Sequence, residues 1–116
     1  MHISNRAKTA KELSRSQNPV WWLITEQHGA RSLETRYLEL GKSCSTSPGG
    51  HPWEQVVYVT KGWGVLRSGG KDHEIVEGDV IHIQSGEDHQ FLNPWEDAMG
   101  LLVVMPAKTE SLFRRK

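Results

Sequence analysis

Cysteine is nearly absent from this chain. Of 116 residues, only Cys44 carries a thiol. That excludes an internal disulfide and any multi-cysteine zinc or iron–sulfur site. An excess of charge of either sign is also missing, since fourteen Lys and Arg balance fourteen Asp and Glu. A nucleic-acid surface normally shows a basic surplus, and a polybasic membrane patch requires one. No nucleic-acid partner and no membrane partner are therefore expected. Long apolar runs are lacking too. None exceeds the five residues from Leu101 to Met105, against the roughly 20 that a membrane-spanning helix needs. The start of the chain is polar and shows no secretory segment, so a cytoplasmic location is the expectation.

What the chain does have is turn residues: eleven Gly and five Pro. The length fits one domain. Residues 1–19 read as a solvated N-terminal arm, 20–106 as a β-barrel and 107–116 as a charged C-terminal tail. Within the barrel, short β-branched and aromatic segments alternate with turn signals. The expected strands are Val20–Thr25, Ser32–Leu40, Gln55–Thr60, Trp63–Ser68, His73–Val76, Val80–Ile83, His89–Leu92 and Met99–Met105. In the second of these, apolar positions switch from Leu33 and Tyr37 to Leu38 and Leu40, which suggests a bulge. With no long amphipathic helix between strands, an all-β antiparallel sandwich or barrel is predicted.

Two segments carry candidate chemistry. One runs Gly49-Gly50-His51-Pro52-Trp53-Glu54-Gln55 and on to Gly62; the other runs from Gly78 through Gly86 and His89 to Asn93. Together they resemble the two motifs of the cupin superfamily. In the second motif Gly78, Gly86, His89 and Asn93 stand at the family spacings, with Gln84 in place of the family's Pro. In the first, Gly62 is in place, His51 takes the second His position, Gln55 the Glu position and Gly49 the first His position. The string His51-Pro52-Trp53-Glu54 is similar to that of small single-domain manganese-binding cupins. The resemblance implies a jelly-roll barrel, a divalent metal (Mn, Fe, Ni or Zn) and a homodimer.

Strand parity points the same way, because side chains alternate faces with period two. Gly49, His51, Gln55 and Val57 share one face, and His89 shares one with Phe91. His51, Gln55 and His89 are thus the candidate metal ligands, with Tyr58, Trp63 and Phe91 as candidate pocket walls. Two imidazoles and an oxygen donor suit a first-row divalent ion with open positions. The same residues also read as polar groups lining a metal-free pocket. Glu54 points to the opposite face, and Trp53 is expected to turn outward at a local twist near Pro52. His82 reads as a half-buried strand residue and Cys44 as an inert thiol. Five Trp suggest burial at a subunit interface as well as in the core. Three functions follow: metal and small-molecule binding with possible oxygenase-type chemistry, metal-free binding as a sensor or carrier, and isomerisation or epimerisation by a His base.

Overall fold

The computed structural model describes residues 1–109. Of the expected tail, residues 110–116 lie outside the described residues. Among the described residues nine strands are present: β1 (Glu12–Leu13), β2 (Pro19–Ile24), β3 (Leu33–Leu40), β4 (Gln55–Lys61), β5 (Trp63–Ser68), β6 (Lys71–Val76), β7 (Val80–Ile83), β8 (Gln90–Leu92) and β9 (Met99–Pro106). They form a six-stranded sheet ordered β1-β2-β3-β9-β4-β7 and a three-stranded sheet ordered β6-β5-β8. All ladders are antiparallel. The two sheets enclose one core, the jelly-roll architecture expected from the turn-rich sequence. Among the described residues, no helix is long and apolar enough to cross a membrane.

Period-two alternation builds the inner face. In β4, Gln55, Val57 and Val59 are buried while Val56 and Tyr58 are exposed. The register then lines up inner-face residues across three strands. Arg36, Val103 and Val57 form one row, and Leu38, Leu101 and Val59 the next. Leu40 pairs with Met99 beyond them. Leu40, Val59, Met99 and Leu101 are fully buried and close that end of the barrel. The turn from β5 to β6 is Gly69-Gly70, whose φ values of 59° and 75° are those of a primed hairpin turn.

Two local readings need correction. The switch of apolar positions along β3 is not a bulge in that strand, which pairs with β9 without a break from Leu33 to Leu40. It arises because Glu34 and Arg36 share the inner face with Leu38 and Leu40. The register shift instead lies in β2, between Trp22 and Ile24. The N-terminal arm, for its part, is only partly solvated. Its residues 12–13 add an edge strand against β2. The Arg6 guanidinium lies 5.0 Å from the Trp21 ring and 5.3 Å from the Tyr37 ring on the outer face. Such cation–π contacts leave no period in the sequence.

Candidate functional site

Two backbone ties bring the motif segments together. The His89 N–H donates to the Gly49 carbonyl at 3.1 Å, and the Gly86 N–H donates to the His51 carbonyl at 2.6 Å. Gln55 opens β4 facing inward, and His89 stands just before β8. Both are buried. Their nitrogens meet, Gln55 Nε2 to His89 Nε2, at 3.0 Å. The other ring nitrogen, His89 Nδ1, lies 2.9 Å from the Glu87 carbonyl oxygen. A carbonyl only accepts, so Nδ1 carries the proton; a carboxamide nitrogen only donates, so Nε2 accepts. The two bonds together hold His89 as the Nδ1–H form. Gln55 Oε1, the far end of this chain of bonds, is buried and has no partner among the described residues.

His51 completes the group. Its ring lies 5.2 Å from that of His89, edge-on at 70°. On its other side Trp53 stacks flat against it, 4.7 Å away and 1° from parallel. Burial, then the neighbouring His89 and Arg36, lower its pKa to about 4, so it is neutral at pH 7.

These side chains border a cavity of about 530 Å³, within the size range of small-molecule sites. Trp22, Trp53 and Phe91 supply aromatic walls, and Arg36 brings a cation. Burial lowers the Arg36 pKa to about 10, which leaves it charged at neutral pH. Its guanidinium lies 5.5 Å from the Trp22 ring centre. Arg36 was missed because a charged residue in a strand reads as solvent-facing. Alternation counted back from Leu40 and Leu38 would have placed it inside.

Of the expected wall residues, Phe91 lines the cavity, while Tyr58 and Trp63 do not. Tyr58 lies on the exposed outer face of β4, as its parity opposite to Gln55 and Val57 requires. Trp63 packs against Trp95, with ring centres 5.3 Å apart. Trp53 does not turn outward; stacking on His51 makes room for it in the cavity wall. Glu54 and His82 pair with each other outside the barrel at 2.9 Å. Cys44 is exposed, its thiol near the Lys42 carbonyl, away from the cavity. Asn93 is purely structural. Its amide donates to the carbonyls of Leu40 and Asp97, and its oxygen accepts from the Trp95 N–H.

The jelly roll and the two motif loops that bring His51, Gln55 and His89 together agree with a match of the cupin-domain family model, Cupin_2, over residues 36–105. The chain belongs to the cupin-domain family. No curated protein matches the chain. Among solved structures, this cupin is similar to the polyketide cyclase RemF from Streptomyces resistomycificus. The two share 28% identity over 93% of this chain and 80% of that one, with a TM-score of 0.87. It also shares its fold with a predicted oxalate decarboxylase from Thermotoga maritima (22% identity, 91% of this chain and 99% of that one, TM-score 0.81). A sugar phosphate isomerase from Silicibacter pomeroyi is a third fold relative (17% identity, 92% of this chain and 76% of that one, TM-score 0.80).

Cupins often hold a divalent metal, so the donor set of this one can be tested for fit. His89 Nε2, the nitrogen a metal would use, already accepts the Gln55 N–H. Position 49 offers no side chain. The Arg36 guanidinium lines the same cavity and repels a dication. Among the described residues, no three His, Cys, Asp or Glu side chains gather where they could hold an ion. In this arrangement a resident ion could take His89 Nε2 only if the Gln55 amide turned away from it.

Proposed function

We propose that this cupin binds a small organic molecule directly in its cavity, with His51, Gln55 and His89 as the polar floor and Trp22, Trp53 and Phe91 as walls. One observation carries the reading. Both ring nitrogens of His89 are committed to protein partners, Gln55 and the Glu87 carbonyl, so the family's ligand position serves here as a hydrogen-bonded pocket group. Apolar walls with a few placed polar groups are the usual make-up of a small-molecule site. Metal-dependent oxygenation, the chemistry implied by the sequence resemblance, would require Gln55 to release His89 first.

Acid–base catalysis on a carbonyl compound is the second reading. It is favoured by the position of His51 on the cavity wall, where a neutral imidazole can accept a proton, while a pKa of about 4 makes it a weak base. Arg36 could favour negative charge developing on a substrate oxygen. Similarity to a polyketide cyclase agrees with such chemistry. The homodimer belongs to the same proposal. Trp21 and Trp22 are buried and Trp53 lines the cavity, but Trp95 stays exposed. The exposed Val56, Tyr58 and Val80 on the outer face of β4 and β7 offer a second apolar contact surface.

Elemental analysis of protein purified without a chelating column tests the main reading. Manganese, iron, nickel and zinc should each stay far below one ion per chain, even after soaking. A near-stoichiometric ion would overturn it.

A further inference from the structure

Resting on the reading of the cavity as a direct small-molecule site, we propose that its ligand is an anion, a carboxylate carried on an apolar body, and that Arg36 is the residue that selects it. Arg36 stands on the inner face of β3. Its cross-strand partners, Trp22 on β2 and Val103 on β9, line the cavity as it does. β3 is an interior strand of the larger sheet, covered on both edges. Arg36 nevertheless stays part-exposed, and the open space on its face is the cavity. The guanidinium carbon sits 5.5 Å from the Trp22 ring centre. Its charge is also among the causes that lower the pKa of His51. Trp22 and His51 both border the cavity, so the charged end of Arg36 lies among the lining groups rather than out in bulk water.

The sign of the ligand's charge follows from the lining. Among the described residues, the Asp, Glu, Lys and Arg that border the cavity are Glu12, Arg15 and Arg36. Glu12 and Arg15 stand close together on the N-terminal edge segment and offset each other in formal charge. Arg36 leaves the wall net positive. Glu34, the acidic neighbour on the same face of β3, is fully buried outside the lining, and its Oε2 accepts the Glu26 N–H at 3.2 Å. Burial works against the Arg36 charge, which lowers its pKa to about 10. A carboxylate brought in by a ligand offsets that loss, and the two charges attract more strongly there than in water. The planar guanidinium carries five N–H donors in a fork that matches the two oxygens of a carboxylate. A neutral amide brings one oxygen and no charge. Trp22, Trp53 and Phe91 are then left to take the apolar body.

Calorimetric titration at pH 7 with 2-naphthoate and 2-naphthamide, which share a ring system and nearly a shape but differ in charge, tests the assignment. The wild-type chain should bind the carboxylate about tenfold or more tightly than the amide. Arg36→Met keeps an apolar stem and removes the charge. It should bring the two affinities within about twofold. Arg36→Gln removes the charge but keeps a polar end, should do the same, and decides the matter if the Met variant does not fold. If neither folds, proton spectra of the wild type decide it: the Arg36 guanidinium protons should move downfield with naphthoate and not with naphthamide. Equal wild-type affinities, unmoved guanidinium protons, or a preference that survives both substitutions would overturn the role of Arg36 and leave the cavity reading standing. Failure of both naphthalenes to bind would overturn the two together.

Discussion

The two motif segments of this barrel have fared differently. Residues 78–93 keep the family spacing, and the side chains of Asp79, Glu87, His89, Gln90 and Asn93 in that stretch are anchored. His89 is bonded through its backbone N–H and both ring nitrogens, and the Asn93 side chain makes three bonds. Residues 49–62 keep the turn at Gly62 but carry no side chain at position 49 and an amide at 55. Gly62, Gly78, Gly86 and Asn93 hold loops in place, and the altered positions 49 and 55 line the cavity beside the retained His51 and His89. A barrel can therefore lose donors facing its cavity while the bonds that shape it stay intact.

The largest effect should come from attacking the anchored segment. Asn93→Ala leaves the Leu40 and Asp97 carbonyls without their donor, and denaturant unfolding should show a loss of about 2–4 kcal/mol. If the loss stays within a few tenths, the anchoring role of this segment is wrong. The altered segment is sharpened by restoring it. A Cβ built on Gly49 meets nothing within 4 Å, although its φ of 127° strains any other residue. Gly49→His combined with Gln55→His should raise zinc or nickel affinity at least about tenfold over wild type, at some cost in stability. Gly49→His alone should gain far less, because Gln55 still occupies His89. Titration calorimetry on the three proteins reads this, and equal gains from the single and double changes would refute the blocking role of Gln55.

The smallest effect is a pH dependence. His51 has a folded pKa of about 4, below the ordinary imidazole value of 6.5. The unfolded chain therefore binds the proton more readily. Stability should be level above about pH 6.5 and fall as pH drops from there toward about 4. His51→Gln should flatten that part of the curve, and an unchanged slope would place the proton uptake elsewhere.

Much of this architecture is legible in the residues because β4 alternates so strictly. Gln55, Val57 and Val59 announce the inner face, and the same rule sets Tyr58 outside. The aromatic ring of Tyr58 suggests a pocket wall, but its parity places it on the outer face. Trp63 went astray for a related reason: an aromatic near a pocket in sequence found its partner in Trp95 across the fold. Arg36 and Glu34 were hidden because burial of a charge depends on neighbours brought in from other strands. The edge strand at Glu12–Leu13 is too short to leave a pattern at all. The spacing of Gly78, Gly86, His89 and Asn93 was legible because loop geometry fixes it locally.

Strand order in the larger sheet bears on how the chain is made. β9, the last strand in sequence, lies between β3 and β4, paired with β3 over eight residue pairs from Leu33–Pro106 to Leu40–Met99. During synthesis from the N-terminus, β3 and β4 emerge without the neighbour that separates them. Each then presents an unpaired apolar edge until residues 99–106 leave the ribosome. Unpaired edges of this kind invite pairing with other chains. The sheet can be completed only after β9 has been made, so a nascent chain stalled before Met99 is an aggregation hazard rather than a partly folded barrel.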